Sequence, residues 1–346
     1  MSTGTVTPTT DEQSLEAENL RSRRGFRMPR LLGSATDITL ILILIVVVFA
    51  VLDFQSFFTV QNFTQILINA ALLLVMAVGA TFVLITGGVD LSVGSVLVFS
   101  GVIAGKVMEL FGSAGWGASL AGIAAALVAG TAWGIVNGLV ITKLHVPPLI
   151  ATLGSYGAAQ GLAQIITNGN DLKNVPIELV DSIGFGRVFG IPILVIIALV
   201  VAAIGGLVLW ATRYGRRTYA VGSNAEAARR AGINVDRHLL KVYAFAGMLA
   251  GLAGILSFAK FGTTTLAGHA TDNLNVIAAV VIGGTSLFGG VGTMIGTVVG
   301  TLIPATLANG LVIVGLNSFW RDFAVGVVLV AAVYLDQLRR RSRSPR

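Results

Sequence analysis

Residues able to do chemistry are sparse in this sequence and do not converge on an active site. There is no cysteine, which excludes disulfides, thiolate nucleophiles and cysteine-ligated metal centres. The three histidines, His145, His238 and His269, are scattered and form no metal-ligand spacing such as H-E-x-x-H. No G-x-x-x-x-G-K-[ST] loop occurs. The nearest match, Gly105–Lys106, runs on into Val107 and lacks the upstream glycine, so the chain has no P-loop with which to hold ATP. There is also no G-x-S-x-G elbow and no pair of intramembrane carboxylates with a plausible base. No catalytic, cofactor-binding or metal-ligating residue is therefore expected.

Two polar stretches stand out instead. The first, 213–241, contains "SNAE", a capping box in which Ser223 accepts from the Glu226 amide while Glu226 reaches back to Ser223. Gly232 then supplies a left-handed C-cap, with Ile233 beside it for the accompanying apolar contact. The run between, Ala225-Glu226-Ala227-Ala228-Arg229-Arg230-Ala231, is strongly helix-forming. This predicts a two-turn helix with a narrow alanine face. A helix lying on membrane headgroups usually carries large apolar residues, so a face that docks in a partner's groove is the better reading. The second stretch, "LITGGVDLSVGS" (84–95), breaks a helix at Gly87 and Gly88. Asp90 and Ser92 either cap the next helix or belong to a broken helix facing a water-filled cavity. "IGGTSLFGGVGT" (282–293) repeats the form G-G-x-x-L-x-x-G.

The elements that must position these stretches lie in lipid. The chain is 55% hydrophobic and 11% charged, where a soluble domain carries about 25% charged residues. Its 43 glycines suit close packing of membrane helices. Apolar runs long enough to cross a bilayer are read at 35–54, 66–86, 92–111, 118–142, 148–167, 190–211, 241–260, 274–288, 291–315 and 320–337. The break at 283–292 also fits one long helix or a re-entrant turn. With ten spans and a cytoplasmic N-terminus, 18 of the 23 Lys and Arg residues fall on the cytoplasmic side. The net charge of +7 thus gathers at membrane edges rather than on a nucleic-acid-binding face. Residues 1–34 read as a disordered basic tail, 35–338 as the membrane domain with its loop at 212–241, and 339–346 as a second basic tail. "SRRGF" (22–26) resembles a twin-arginine signal but reads as a positive-inside anchor for the first span. The acids near the membrane, apart from Asp90, sit at span ends, so ion coupling through buried carboxylates has little to work with.

Four blocks in order resemble the permease subunits of ribose/xylose/galactose-type ABC sugar importers. They are "LITGGVDLSVGS", "NGLVITKLHVPPLIATLGS" (137–155), "AVGSNAEAARRAGINVDRHLLKVYAFAGMLAGLAGIL" (220–256) and "IAAVVIGGTSLFGGVGTMIGT" (277–297). The resemblance covers essentially the whole chain after residue 35. It implies an all-α inner-membrane protein of about ten helices, both termini cytoplasmic, with a short coupling helix between helices six and seven. It further implies a cytoplasmic ABC ATPase that uses ATP and magnesium, an extracytoplasmic sugar-binding protein, and a second permease chain, identical or closely related. On that analogy Gly222, Ser223, Asn224, Glu226, Ala227, Ala231 and Gly232 dock the ATPase. The cargo implied is a pentose, hexose or related polyol; related permeases carry nucleosides or branched-chain amino acids, and an ion-coupled carrier is the reading from another class. The chain departs from the family pattern at Gln160, Asn273, Asn275, Arg321 and Val325. Polar side chains in otherwise apolar spans are the candidates for the pathway or gate: Asn69, Asp90, Ser92, Ser100, Gln160, Gln164 and Asn309. Each has a structural alternative in interhelical hydrogen bonding, worth about 0.6 kcal/mol on average.

Overall fold

A computed structural model describes residues 35–317 and, beyond them, residues 320, 323, 324, 326, 327, 330 and 334. The two tails, and most of the stretch at 320–337 with Arg321 and Val325, lie outside the described residues. The long helices are α1 (Ala35–Leu52), α2 (Val60–Ile85), α3 (Val93–Leu110), α4 (Gly115–Thr142), α5 (Pro148–Thr167) and α6 (Ile193–Ala211). After a short helix α7 (Arg213–Ser223) and a shorter α8 (Ala225–Arg230) come α9 (Val235–Phe261), α10 (Asp272–Ile282) and α11 (Met294–Ile313). Six of these, α2, α3, α4, α6, α9 and α11, are long and apolar enough to cross a membrane. The predicted spans from 66 to 167 fall on α2 to α5 within a few residues, apart from the start of α2, which lies six residues upstream at Val60. The all-helical reading omits one small feature: an antiparallel hairpin, Arg187–Val188 against Ile191–Pro192, precedes α6.

The core forms around α9, which packs against α2, α3 and α4. In a membrane, helices gain nothing from hiding apolar surface from water, so association depends on close van der Waals packing. The sequence provides for this with small residues at four-residue spacing. Gly130 and Gly134 on α4 face Gly247 and Gly251 on α9. A Cβ at Gly130 would lie 2.9 Å from the Gly251 backbone, and one at Gly134 would overlap the Tyr243 carbonyl. On the neighbouring side a Cβ at Gly79 of α2 would lie 2.9 Å from Ala246 Cα. On α3's side a Cβ at Gly254 would overlap the Leu97 carbonyl, so backbone meets backbone along three sides of α9.

One predicted span does not exist as a span. The stretch 274–288 contains only α10, 11 residues long, which stops at Gly283. At 1.5 Å per residue it reaches about 16 Å, roughly half the ~30 Å of a bilayer's hydrocarbon. The cause is local: Gly284, Gly289 and Gly290 all take positive φ, which ends the helix and turns the chain. Helix α11 then returns along α10, with a Cβ at Gly283 lying within 2.7 Å of the Gly296 carbonyl carbon. Residues 283–293 thus resolve the ambiguity at that break: it is a turn between two packed helices, not one long helix.

Gly130→Val should overpack the α4–α9 contact and cost about 1–3 kcal/mol, read as a lower unfolding midpoint and less monodisperse protein in detergent. Gly161→Ala, where nothing lies within 4 Å of an added Cβ, should stay within about 0.5 kcal/mol of the parent.

Candidate functional site

The loop before α9 folds as two helices. Thr212 caps α7 by accepting from the Gly215 amide at 3.1 Å. On its inner face, the Tyr214 ring packs tilted against His238 of α9 with centroids 4.7 Å apart, and Thr218 Oγ1 lies 3.0 Å from His238 Nε2. Helix α8 follows without a linker. Its N-cap is Asn224, whose side chain accepts from the Ala227 amide at 2.9 Å. This corrects the expected capping box by one residue: Ser223 is still the last residue of α7, so its amide is already committed to that helix. Glu226 instead lies 3.4 Å from Arg230, both well exposed. The C-terminal expectation holds. Gly232 has φ +82°, its amide donates to Arg229, and the Ile233 amide donates to Ala228. Ala225, Ala228 and Ile233 pack against Val221 and Val235. That leaves Ser223, Asn224, Glu226, Ala227, Ala231 and Gly232 exposed.

The end of α7, immediately before α8, sits on both glycine breaks. A Cβ at Gly222 would overlap the Ile85 carbonyl at the end of α2 and lie 2.8 Å from the Gly290 nitrogen. The Gly290 amide donates to the Ile85 carbonyl at 2.8 Å. A Cβ at Gly289 would lie 2.8 Å from the Gly87 nitrogen and 2.9 Å from the Gly222 carbonyl oxygen. Tyr219 Oη donates to the Gly292 carbonyl at 2.7 Å. Burial lifts the Tyr219 phenol above its ordinary range, so it stays protonated and keeps that donor. Residues 85–88, 219–223 and 289–292 therefore form one junction.

From this junction the chain runs inward. Residues 86–92 are irregular, with Thr86, Gly88, Asp90 and Ser92 buried, and they lie beside the N-terminal third of α9: the Val89 carbonyl accepts from Tyr243 Oη at 3.4 Å and from Thr152 Oγ1 at 3.3 Å. Irregular backbone at membrane depth is tolerated only where protein or a water-filled cavity satisfies it, and here side chains do. Asp90 is 5% exposed and accepts from the Ser92 amide at 2.8 Å and from Ser92 Oγ at 2.6 Å. Asn137 donates to Ser92 Oγ at 2.9 Å, and Asn273 to the Leu91 carbonyl at 3.1 Å. Ser92 stands at the N-cap position of α3 without capping it through its side chain. Asp90 thus closes a local turn, and α3, α4 and α10 are tied to it.

At the opposite end of α9 lies a cavity of about 220 Å³. Asn69, Leu72 and Leu73 of α2, Lys260 and Phe261 of α9, the 268–275 segment, and Pro304, Ala305 and Ala308 of α11 line it. Lys260 Nζ donates to Asn69 Oδ1 at 2.8 Å, and His269 joins Ser257 Oγ (2.8 Å) to Asp272 Oδ2 (2.6 Å).

The seven polar residues predicted for a pathway do not gather in one place. Asn69 faces the cavity; Asp90 and Ser92 form the buried turn. Ser100 is fully buried with no hydrogen-bond partner for its hydroxyl among the described residues. Gln160 donates to the Leu266 carbonyl at 2.7 Å, holding the loop beside the cavity rather than lining it. Gln164 is exposed on the outer face of α5, and Asn309 donates to Asn62, joining α11 to α2. Sequence reasoning missed Lys260, Asp272, Asn137 and Tyr219. The one visible signal was His269-x-x-Asp272, an i,i+3 pair just before an apolar run.

Residues 62–333 match the family model described as branched-chain amino acid transport system / permease component. The ribose import permease protein of Escherichia coli strain K12 is 36% identical over 94% of this chain and 100% of its own length. The D-allose transport system permease protein of the same strain is 36% identical, covering 86% of this chain and 90% of that protein. The autoinducer 2 import system permease protein of Yersinia enterocolitica is 35% identical over 85% and 81% respectively. No solved structure matches the chain.

Asn224→Ala should remove the α8 cap at a cost of about 0.5–2 kcal/mol, seen as faster hydrogen exchange of the amides at 225–231. Glu226→Ala, an exposed pair, should change that exchange little, by less than about 0.5 kcal/mol.

Proposed function

This chain belongs to the branched-chain amino acid transport system / permease component family, and from that membership we propose that it is the membrane-spanning permease subunit of an ATP-driven importer of a monosaccharide or related polyol. The observation that carries the reading is the exposed face of α8, which follows α7 across the single residue Asn224, with α7 itself packed at Gly222 on the two glycine breaks that interrupt the membrane helices. A helix that only turned the chain would need no such joint. A separate cytoplasmic ATPase, which uses ATP and magnesium, docks on Ser223, Asn224, Glu226, Ala227, Ala231 and Gly232. Force on α8 reaches residues 85–92 and 283–293 through one backbone junction.

The sugar assignment draws on the ribose and allose permeases it resembles along most of its length; a nucleoside or branched-chain amino acid is the alternative cargo. An extracytoplasmic binding protein delivers the cargo, and a second permease chain completes the pathway. The protein is multi-pass in the inner membrane. The Lys and Arg distribution supports cytoplasmic termini and a cytoplasmic α8, which puts the α2–α9–α11 cavity toward the outside.

Ala227→Trp, a bulky change on the exposed face of α8, should abolish co-purification of a P-loop ATPase and ATP-driven uptake while the protein remains folded. ATPase association and uptake that both persist with this change would overturn the docking role of α8, whereas uptake in ATP-free vesicles that collapses with an ionophore would replace the importer by an ion-coupled carrier. Tyr219→Phe should leave ATPase association intact and lower the sugar moved per ATP hydrolysed, measured in proteoliposomes.

A further inference from the structure

The geometry points to a second functional element, a weak binding site for a neutral polyhydroxylated molecule in the cavity at the C-terminal end of α9, with Lys260 as its principal donor. Lys260 is a cation largely enclosed by protein. Among the described residues it has no ion-pair partner within 4 Å and one hydrogen-bond acceptor, Asn69 Oδ1. An ammonium carries three donors, so two point to no protein acceptor. A charge held in such a place is costly, and such groups commonly mark a substrate pathway. A purely structural lysine would be expected to meet a carboxylate, yet the nearby acid, Asp272, is engaged by His269 Nδ1 at 2.6 Å. That hydrogen bond fixes Asp272 at the cavity wall without neutralising Lys260 through a direct pair.

The wall chemistry selects the ligand class. Lys260 and Asp272 contribute one formal charge of each sign, so an anion attracted by one is opposed by the other. Asn69 and Asn275 add amides that both donate and accept. Phe261 supplies a ring, over which Lys260 Nζ lies 4.9 Å from the centroid. Mixed donors and acceptors beside an apolar face suit hydroxyl groups on a carbon skeleton. The volume of about 220 Å³ is far above the roughly 10–15 Å³ that a single water needs, so there is room for a small polyol. Apolar Pro304, Ala305 and Ala308 close the far wall. Such a site holds its ligand through few contacts and releases it readily, as a stopping place on a pathway requires.

This site rests on the importer reading only for its role, and its test separates the two. The chain has no cysteine, so Ala308→Cys on the cavity wall creates a single thiol. The full-length variant, in detergent, is treated with a water-soluble methanethiosulfonate reagent, with D-ribose or D-allose as the probe. A site with a Kd of about 1 mM, exposed to ~10 mM sugar, should make labelling about tenfold slower. Lys260→Met in the same background should remove the protection, read as the ratio of labelling rates with and without sugar in that variant because a nearby cation also tunes the thiol, and Lys260→Arg should restore part of it. Protection that survives Lys260→Met, protection by neither sugar, or stronger protection by D-ribose 5-phosphate than by D-ribose would overturn the proposal. ATP-driven uptake without protection would sink the site and leave the importer standing. Protection without ATP-driven uptake would keep the site and sink the importer.

Discussion

The approach of three backbones at Gly87, Gly222 and Gly289–Gly290 is the constraint on which the rest of the structure depends. Backbone atoms make the contact itself, and one side chain, Tyr219, ties it by donating to the Gly292 carbonyl. The Gly290 amide meets the Ile85 carbonyl directly, and the remaining glycines leave room for that bond. Because the contact is backbone on backbone, it has almost no rotameric slack. A displacement of α7 cannot be absorbed by a side chain swinging aside; it must move the end of α2 and the turn after α10 together. Helix α9 gives this junction a fixed frame, since its own contacts with α2 and α4 are of the same glycine-and-carbonyl kind.

The molecule therefore has a graded construction. Around α9 the packing is closest, and α5 lies at the periphery, with Gly154, Gly157 and Gly161 open to their surroundings. The polar groups follow the same gradient. Those at the buried turn, Asp90, Ser92 and Asn137, satisfy one another in a chain of hydrogen bonds. Those at the far end of α9 are less completely engaged, with Lys260 holding one acceptor. Satisfied groups fix a shape, and incompletely satisfied ones leave donors for something else.

Much of the helix plan was legible in the sequence because the bilayer imposes a simple length rule. The rule failed at 274–288, where apolar composition continued through a turn that only the clustered glycines betrayed. The likeness of "TGGVDLSVG" and "GGTSLFGGVG" was visible, but not that the two stretches meet, since some two hundred residues separate them and nothing local encodes the contact. Helix α8 was found from its composition, with the cap misplaced from Asn224 to Ser223 because two adjacent cap-forming residues compete and the end of α7 decides between them. Polar residues in apolar spans were a poor guide to the cavity. Asn309 and Gln160 serve helix and loop ties, whereas Lys260 lies at a helix end where a lysine reads as an ordinary interfacial residue.

The brevity of α10 bears on how the chain enters the bilayer during synthesis. With 11 residues it has too little apolar length to partition across hydrocarbon as a separate segment. Helix α11, of 20 residues, is long enough. Gly283 against Gly296, and Gly300 against the Ala279 carbonyl, make the two a close-packed pair. The half-length helix therefore has to wait for the emergence of its successor and be carried in as one arm of a hairpin. Since the glycine turn of that hairpin also completes the junction with α2 and α7, the link between α8 and the membrane core can form only once α11 has been made as far as Ile313, after about nine-tenths of the chain.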